Sequence, residues 1–471
     1  MVFSSLEFLF LFLPITLIVY FAIPRKYIAF RNLALLAVSL LFYGWGEPVY
    51  VFLMVFSILL SYFYGFMVGK YKETKPKKAK LFLILAVISN IGLLGFFKYT
   101  DFFIGILDSI PGVDIAPLGI TLPIGISFYT FQILSYVIDV YRGDTAAEKN
   151  PLTVGTYVTL FPQLIAGPIV RYKDVDDQLK EREHSVFLFS SGVKTFVAGL
   201  CKKVLLANVA AAAFEELKAL PETDLTVLGA WMGILFYSFQ IYFDFSGYSD
   251  MAIGLGKMFG FRFLENFDYP YISRSITEFW RRWHISLSTW FREYLYFPLG
   301  GSRVDKKWKV FRNLLIVWFL TGFWHGANWN YILWGLLFFV FLVLEKTFLL
   351  KLLDKIPAFF GHAYTLIVVM FSWLLFHFED LGAGMRWALK MFGVGAQVIN
   401  DTTLFALLRS LPMIAILCLA CTPLPKKLYY RLCAKGALYR VIFAVCGIFL
   451  FLLAVAALVS SGFNPFIYSI F

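Results

Sequence analysis

The sequence predicts an all-α fold, a polytopic bundle of transmembrane helices, and three observations predict it. Of the 471 residues, 60% are hydrophobic and only 15% are charged. Soluble globular chains carry roughly 45–50% apolar and 25% charged residues. Mean hydropathy is +0.74. Apolar runs approaching or exceeding the ~20 residues of helix that a bilayer core requires recur along the whole chain. The basic residues behind the net charge of +12 cluster between those runs, where they orient membrane segments. That placement argues against a nucleic-acid-binding patch.

The candidate spans are Leu6–Ile23, Leu33–Trp45, Val49–Val68, Leu81–Phe97, Leu118–Val140, Val186–Phe214, Leu225–Phe245, Leu314–Leu344, Tyr364–Phe378, Leu404–Cys421 and Val441–Val459. Val154–Val170 and Tyr248–Phe263 are shorter and rich in Gly or Pro, so they are expected to be re-entrant or broken. The count comes to about 11–12 membrane segments. No repeat, linker or soluble stretch interrupts them, and one membrane domain over 1–471 is expected. The opening segment lacks positive charge ahead of its apolar run and carries Arg25 and Lys26 behind it. It reads as a retained first helix with its N-terminus outside, not as a secretory signal.

Loop charges set the expected topology. Arg25–Arg31, Lys70–Lys80, Arg303–Arg312, Lys346–Lys355 and Lys426–Arg440 read as cytoplasmic, Asp101–Pro117 and Glu379–Asp401 as external. Alternation is ambiguous within Tyr141–Arg312. Arg171–Ser185 mixes both signs and is expected to be a cytoplasmic surface helix or loop. Cys418 and Cys421 form a C-x-x-C inside an apolar run, without the second ligand pair that metal sites usually need. No metal site is expected.

The chemistry concentrates in three places. In 273–303, Ser275 and Glu278 match a capping box at a helix start. Successive residues at 100° put Trp280, Trp283, His284, Leu287, Trp290, Phe291, Tyr294 and Leu295 in one arc. Glu278, Arg281, Arg282, Thr289, Arg292 and Glu293 fall opposite. An amphipathic helix at the cytoplasmic interface is expected. His284 inside the aromatic arc is either functional or a core histidine bonded to a backbone carbonyl. In 319–335, His325 lies in an apolar stretch between Gly322 and Gly326, which permit a helix break or a close approach. Leu314–Leu344 reads as a hairpin with His325 near its tip, and an ionisable residue at that depth is a functional candidate by default. In 237–254, Gln240, Asp244 and Asp250, with Ser246 and Ser249, either orient an imidazole, line a polar passage or fix a broken helix. Walker, GxGxxG, GxSxG and HExxH motifs are absent, so the chemistry rests on histidine and buried polar groups.

The segments LPIGISFYTFQILSYVIDVYR (122–142), FPQLIAGPIVR (161–171), FQIYFDFSGYSDMAIG (239–254), EFWRRWHISLS (278–288), YFPLGGSR (296–303) and FWHGANW (323–329), with the opening MVFSSLEFLFLFLP, resemble the membrane-bound O-acyltransferase superfamily in its alginate O-acetyltransferase branch. The D-alanyl transferases of teichoic acid share both histidine motifs but look less similar around FPQLIAGPIVR and PLGG. The resemblance implies helices around a tunnel or funnel, with the acyl donor drawn from the cytoplasm and the acceptor reached from outside. It places the catalytic histidine at His325 and the second motif histidine at His284. It further implies a bacterial cytoplasmic-membrane location, an extracytoplasmic partner of the SGNH-hydrolase type, and no bound cofactor.

Acyl transfer from a thioester needs an activated hydroxyl and a place for the oxyanion. His325 is assigned as general base, and His284 as a group that binds, orients or relays. Arg281 and Arg282 meet either a phosphorylated donor such as acetyl-CoA or the headgroups of membrane lipids. Gln240, Asp244, Asp250, Trp324 and Asn328 complete the expected substrate-binding set. Two rival classes are a transporter whose histidines relay protons and a scaffold that anchors an extracellular enzyme.

Overall fold

A computed structural model describes residues 2–165, 167–460 and 462. Among these residues the regular structure is helical, with no strand. The described residues form two compact units: one holds those up to Phe196 with Tyr248–Glu265, the other Val197–Gly247 and Asn266–Ser460.

In the first unit, α1 (Phe8–Ala22), α2 (Ile28–Gly46), α3 (Tyr50–Tyr71) and α4 (Pro76–Asp108) precede α5 (Ile126–Arg142). The first four are apolar nearly all round and leave Ile18, Leu41, Phe52 and Ile88 exposed, as helices do when lipid surrounds them. Helix α5 packs on α3 and α4 and buries almost every side chain, Gln132 and Asp139 included. Helix α4 runs past the expected end at Phe97 to Asp108. Asp101 then accepts the backbone N–H groups of Leu118 (2.8 Å) and Ile120 (3.0 Å), tying the returning loop to the helix.

The stretch Val154–Val170 is broken as expected, into α6 (Pro151–Thr159) and α7 (Phe161–Leu164); Ala166 within it lies outside the described residues. Helix α8 (Tyr172–Lys180) buries Tyr172, Val175 and Leu179 on one face, so Arg171–Ser185 does contain an amphipathic helix. Beyond it, Arg31 donates through Nε and Nη2 to the Ile23 carbonyl (2.9 and 2.7 Å) and through Nη1 to His184 Nε2 (3.1 Å). Arg182 Nε donates to the Tyr20 hydroxyl at 3.2 Å.

Helices α9 (Val186–Lys218) and α10 (Val227–Met258) each contribute to both units. Tyr248–Phe263 was expected to be broken or re-entrant, and the structure corrects this: α10 continues through it to Met258. The glycines that suggested a break instead admit a neighbour. A Cβ on Gly254 would stand 2.7 Å from the Gly192 carbonyl oxygen of α9, a close approach typical of small residues between membrane helices.

The second unit continues with α11 (Ile276–Arg282), α12 (Ile285–Phe291), α13 (Lys307–His325), α14 (Trp329–Leu344), α15 (Ala358–His377), α16 (Leu381–Met391), α17 (Asp401–Ala420), α18 (Leu424–Cys433) and α19 (Ala437–Ser460). Among the described residues, seven helices are long and apolar enough to cross a membrane: α2, α3, α4, α9, α15, α17 and α19. The larger expected count included α5 and α14, which are shorter, and α10 and α13, which carry polar or charged residues.

Candidate active site

The site begins with a buried carboxylate. Glu345 is 2% exposed and accepts the N–H groups of Ile276 (2.6 Å) and Thr277 (2.8 Å), the Thr277 hydroxyl (2.6 Å) and the Tyr364 hydroxyl (3.1 Å). The two backbone N–H groups are first-turn donors of α11, which lack partners inside the helix. Ser275 caps the same end by accepting the Glu278 N–H at 3.0 Å. Glu278 returns its carboxylate to the Arg274 N–H at 2.9 Å, a variant of the expected capping box.

The single amphipathic helix expected across this region is corrected to two. Helix α11 ends at Arg282, and α12 starts at Ile285. Between them His284 adopts the left-handed conformation, φ 45° and ψ 54°, which costs a non-glycine residue about 1–3 kcal/mol. Asn266 holds the break in place. Its carbonyl accepts the Ile285 N–H at 3.0 Å. Its side-chain Oδ1 lies 3.1 Å from Ser286 N, 2.9 Å from Ser286 Oγ and 3.2 Å from His284 Nδ1. The burial pattern survives the break: Trp280, Trp283, His284, Leu287, Trp290, Phe291 and Tyr294 are all buried, whereas Arg281 and Arg292 are exposed. His284 is packed edge-on against Phe245, with ring centroids 4.6 Å apart.

The second histidine sits at a hairpin tip, as expected. His325 is the last residue of α13, and Gly326 leaves the helix in extended conformation. Helices α13 and α14 pack together because a Cβ on Gly322 would strike the Tyr331 carbonyl, and one on Gly335 the Trp318 carbonyl. His325 is 3% exposed. Around it stand Trp324, Trp334 and Phe376, with ring centroids at 4.8, 4.9 and 5.4 Å. Asn330 anchors α14 to α15 by donating to the Phe376 carbonyl at 3.1 Å. A run of rings leads away from His325: Trp334 to Trp373 (6.4 Å), then Trp373 to Trp283 (4.9 Å), the residue before His284.

The remaining sequence candidates divide. Trp324 lies against His325. Asn328 caps α14, accepting the Trp329 N–H at 2.6 Å. Gln240 is 8% exposed, and its Oε1 has no hydrogen-bond partner among the described residues. Asp244 forms a buried ion pair with Lys203, Nζ to Oδ1 2.7 Å. Asp250 belongs to the first unit. Arg282 is engaged by Glu278 and Asp268, each at 3.0 Å, whereas Arg281 is exposed without an ion pair among the described residues. Sequence reasoning missed Asn266, Asn330 and Glu345. Among the described residues no three His, Cys, Asp or Glu side chains are grouped to hold a metal ion.

His325 is a buried imidazole walled by aromatic rings, and His284 is a second buried imidazole, held in strained backbone. The model of the membrane-bound O-acyltransferase family, MBOAT, matches residues 147–382, which include both histidines. The chain belongs to this family, and it is a multi-pass membrane acyltransferase. It is 42% identical to a protein of Pseudomonas putida named "Probable alginate O-acetylase AlgI", with 99% of each chain covered. A protein of the same name from Azotobacter vinelandii is 44% identical over 405 residues, 85% of this chain and 80% of the relative. The peptidoglycan O-acetyltransferase of Helicobacter pylori is 36% identical over 427 residues, 84% of this chain and 80% of the relative.

Proposed function

We propose that the chain moves acetyl groups from a cytoplasmic thioester donor, acetyl-CoA, across a bacterial cytoplasmic membrane to an extracytoplasmic partner of the SGNH-hydrolase type. That partner O-acetylates an exopolysaccharide or cell-wall polymer such as alginate. Two relatives named for alginate O-acetylation and one named for peptidoglycan O-acetylation support the acetyl group and the polymer class. The observation that carries the chemistry is His325, buried among rings at the end of α13.

In this reading His325 takes the proton of the acceptor hydroxyl as the hydroxyl oxygen attacks the thioester carbonyl. The tetrahedral intermediate collapses, the C–S bond breaks, and the proton passes to the departing thiolate. Arg281, exposed and without an ion pair among the described residues, meets the donor's phosphates better than Arg282, whose guanidinium is already committed.

The test is turnover of radiolabelled acetyl-CoA by the purified chain together with its partner. His325→Ala should lower the rate by about 10²–10⁴-fold while donor binding changes little. Near-normal turnover by a well-folded His325→Ala protein would refute the assignment, and equal loss of binding and rate would make His325 a binding residue.

A further inference from the structure

The contacts of His284 settle more than its position. Asn266 Oδ1 faces the backbone N–H of Ser286 at 3.1 Å. That group can only donate, so the Asn266 atom facing it must be the carbonyl oxygen; an amide NH₂ there would set donor against donor. The same oxygen lies 3.2 Å from His284 Nδ1. A carbonyl oxygen accepts only, so Nδ1 carries the hydrogen and donates. Neutral imidazole has one N–H, and its lone pair therefore lies on Nε2. That nitrogen is buried and has no hydrogen-bond partner among the described residues. The ring packs against Phe245, centroids 4.6 Å apart, and Phe267, 6.5 Å apart, neither of which supplies a donor.

We infer that Asn266 is a positioning residue that locks His284 as the Nδ1–H tautomer, so that His284 Nε2 receives an O–H or N–H donor from a substrate. Resting on the proposed function, this narrows the part played by His284. In its neutral form the outward nitrogen cannot donate to an oxyanion, and it can accept from a hydroxyl or an amide. Two substrates carry such groups: the acceptor, through its hydroxyl, and the thioester donor, through the amides of its pantetheine arm. The strained backbone at His284 fits this role. Asn266 accepts from both residues that follow His284, and so fixes the ring's direction together with its tautomer.

The test uses the full chain in nanodiscs with ¹⁵N-labelled histidine, His284 being assigned by comparison with His284→Gln. The wild-type spectrum should show a protonated Nδ1 and an unprotonated Nε2 before any substrate is added. A protonated Nε2 would overturn the inference. Coenzyme A and the purified extracytoplasmic partner, which carries the acceptor hydroxyl in the proposed function, are then added separately. The addition that perturbs Nε2 identifies the source of the donor group, and no perturbation by either would overturn the receiving role.

Asn266→Asp keeps an acceptor for Ser286 and for Nδ1–H. It should retain transfer, with the acid limb of its pH profile moved upward by the added carboxylate. Asn266→Ala removes the lock and should lose about 10–100-fold, by analogy with partners that orient metal-ligating histidines. Equal losses and identical pH profiles in the two variants, at equal folded yield, would also overturn it. A wild-type chain that shows the expected tautomer but transfers no acetyl group would refute the proposed function and leave the tautomer assignment standing.

Discussion

Glu345 accepts the backbone N–H of Ile276 at 2.6 Å, across 69 residues of sequence. The contact fixes where α11 starts, and α11 leads directly into Trp283 and His284. A carboxylate at a helix N-terminus is favoured by the orphan donors and by the helix dipole together. Here it is also buried, so removing it strands those donors away from water.

Glu345→Ala should therefore destabilise the protein by about 1–3 kcal/mol for each stranded donor. Acetyl transfer should fall with it, because the element carrying His284 loses its anchor. Glu345→Gln keeps one acceptor and should show a smaller loss. Thermal melts of both variants in detergent provide the check. Melts indistinguishable from wild type would mean that Glu345 acts only as a charge at the edge of a basic cluster.

Much of the architecture was legible because apolar runs report burial directly. The hairpin around His325 could be read from Gly322 and Gly326 in a long apolar stretch, and the cap at Ser275 from its spacing to Glu278. The break at His284 was not legible. One residue in the left-handed conformation leaves the burial pattern almost untouched, so Trp280, Trp283, Leu287 and Trp290 fit one continuous helix as well as two. Asn266 lies 18 residues before His284, and Glu345 lies 69 residues after Ile276. Neither partnership leaves a periodic trace, since hydrogen bonds across such separations obey tertiary geometry. Arg281 and Arg282 were equivalent on a helical wheel, and the engagement of Arg282 by both Glu278 and Asp268 separates them. Glycines misled at Tyr248–Phe263, where close packing and helix breaking ask for the same residue.

A pH dependence follows from the cluster at the end of α8. Burial, then Arg31 and Arg182, push His184 down to about 4 from the ordinary 6.5, with Arg25 adding to the effect. Its Nε2 accepts from Arg31 and its Nδ1 faces the Arg182 carbonyl at 3.1 Å, so the folded protein needs the neutral ring. The unfolded chain binds the proton near 6.5 and the folded chain only near 4. Stability from this group is thus fully present above pH 6.5 and is lost as pH falls toward 4. The ring is only partly buried, which keeps the effect modest. Thermal melts of wild type and His184→Gln at pH 7 and pH 5 test this. The wild type should lose more on acidification, and equal losses would remove His184 as the cause.

The ion pair between Lys203 and Asp244 allows a sharper test. The two side chains are 3% and 1% exposed and meet at 2.7 Å. Lys203 lies in a π-helical stretch of α9, Lys202–Ala207, and Asp244 in α10. Breaking a buried pair from one side leaves an uncompensated charge and costs about 3–5 kcal/mol, whereas replacing both partners with apolar residues of similar volume is often neutral. Asp244→Asn and Lys203→Met should each therefore lower the yield of folded protein severely. The double variant Lys203→Met with Asp244→Leu should recover it. If the pair only joins α9 to α10, transfer should recover with folding. If Asp244 instead contacts a substrate, the double variant should fold and melt like wild type yet fail to transfer. Folded yield and acetyl transfer measured on the same four proteins separate the two roles. The structural role is the expected one, because the carboxylate is already engaged by a lysine as deeply buried as itself.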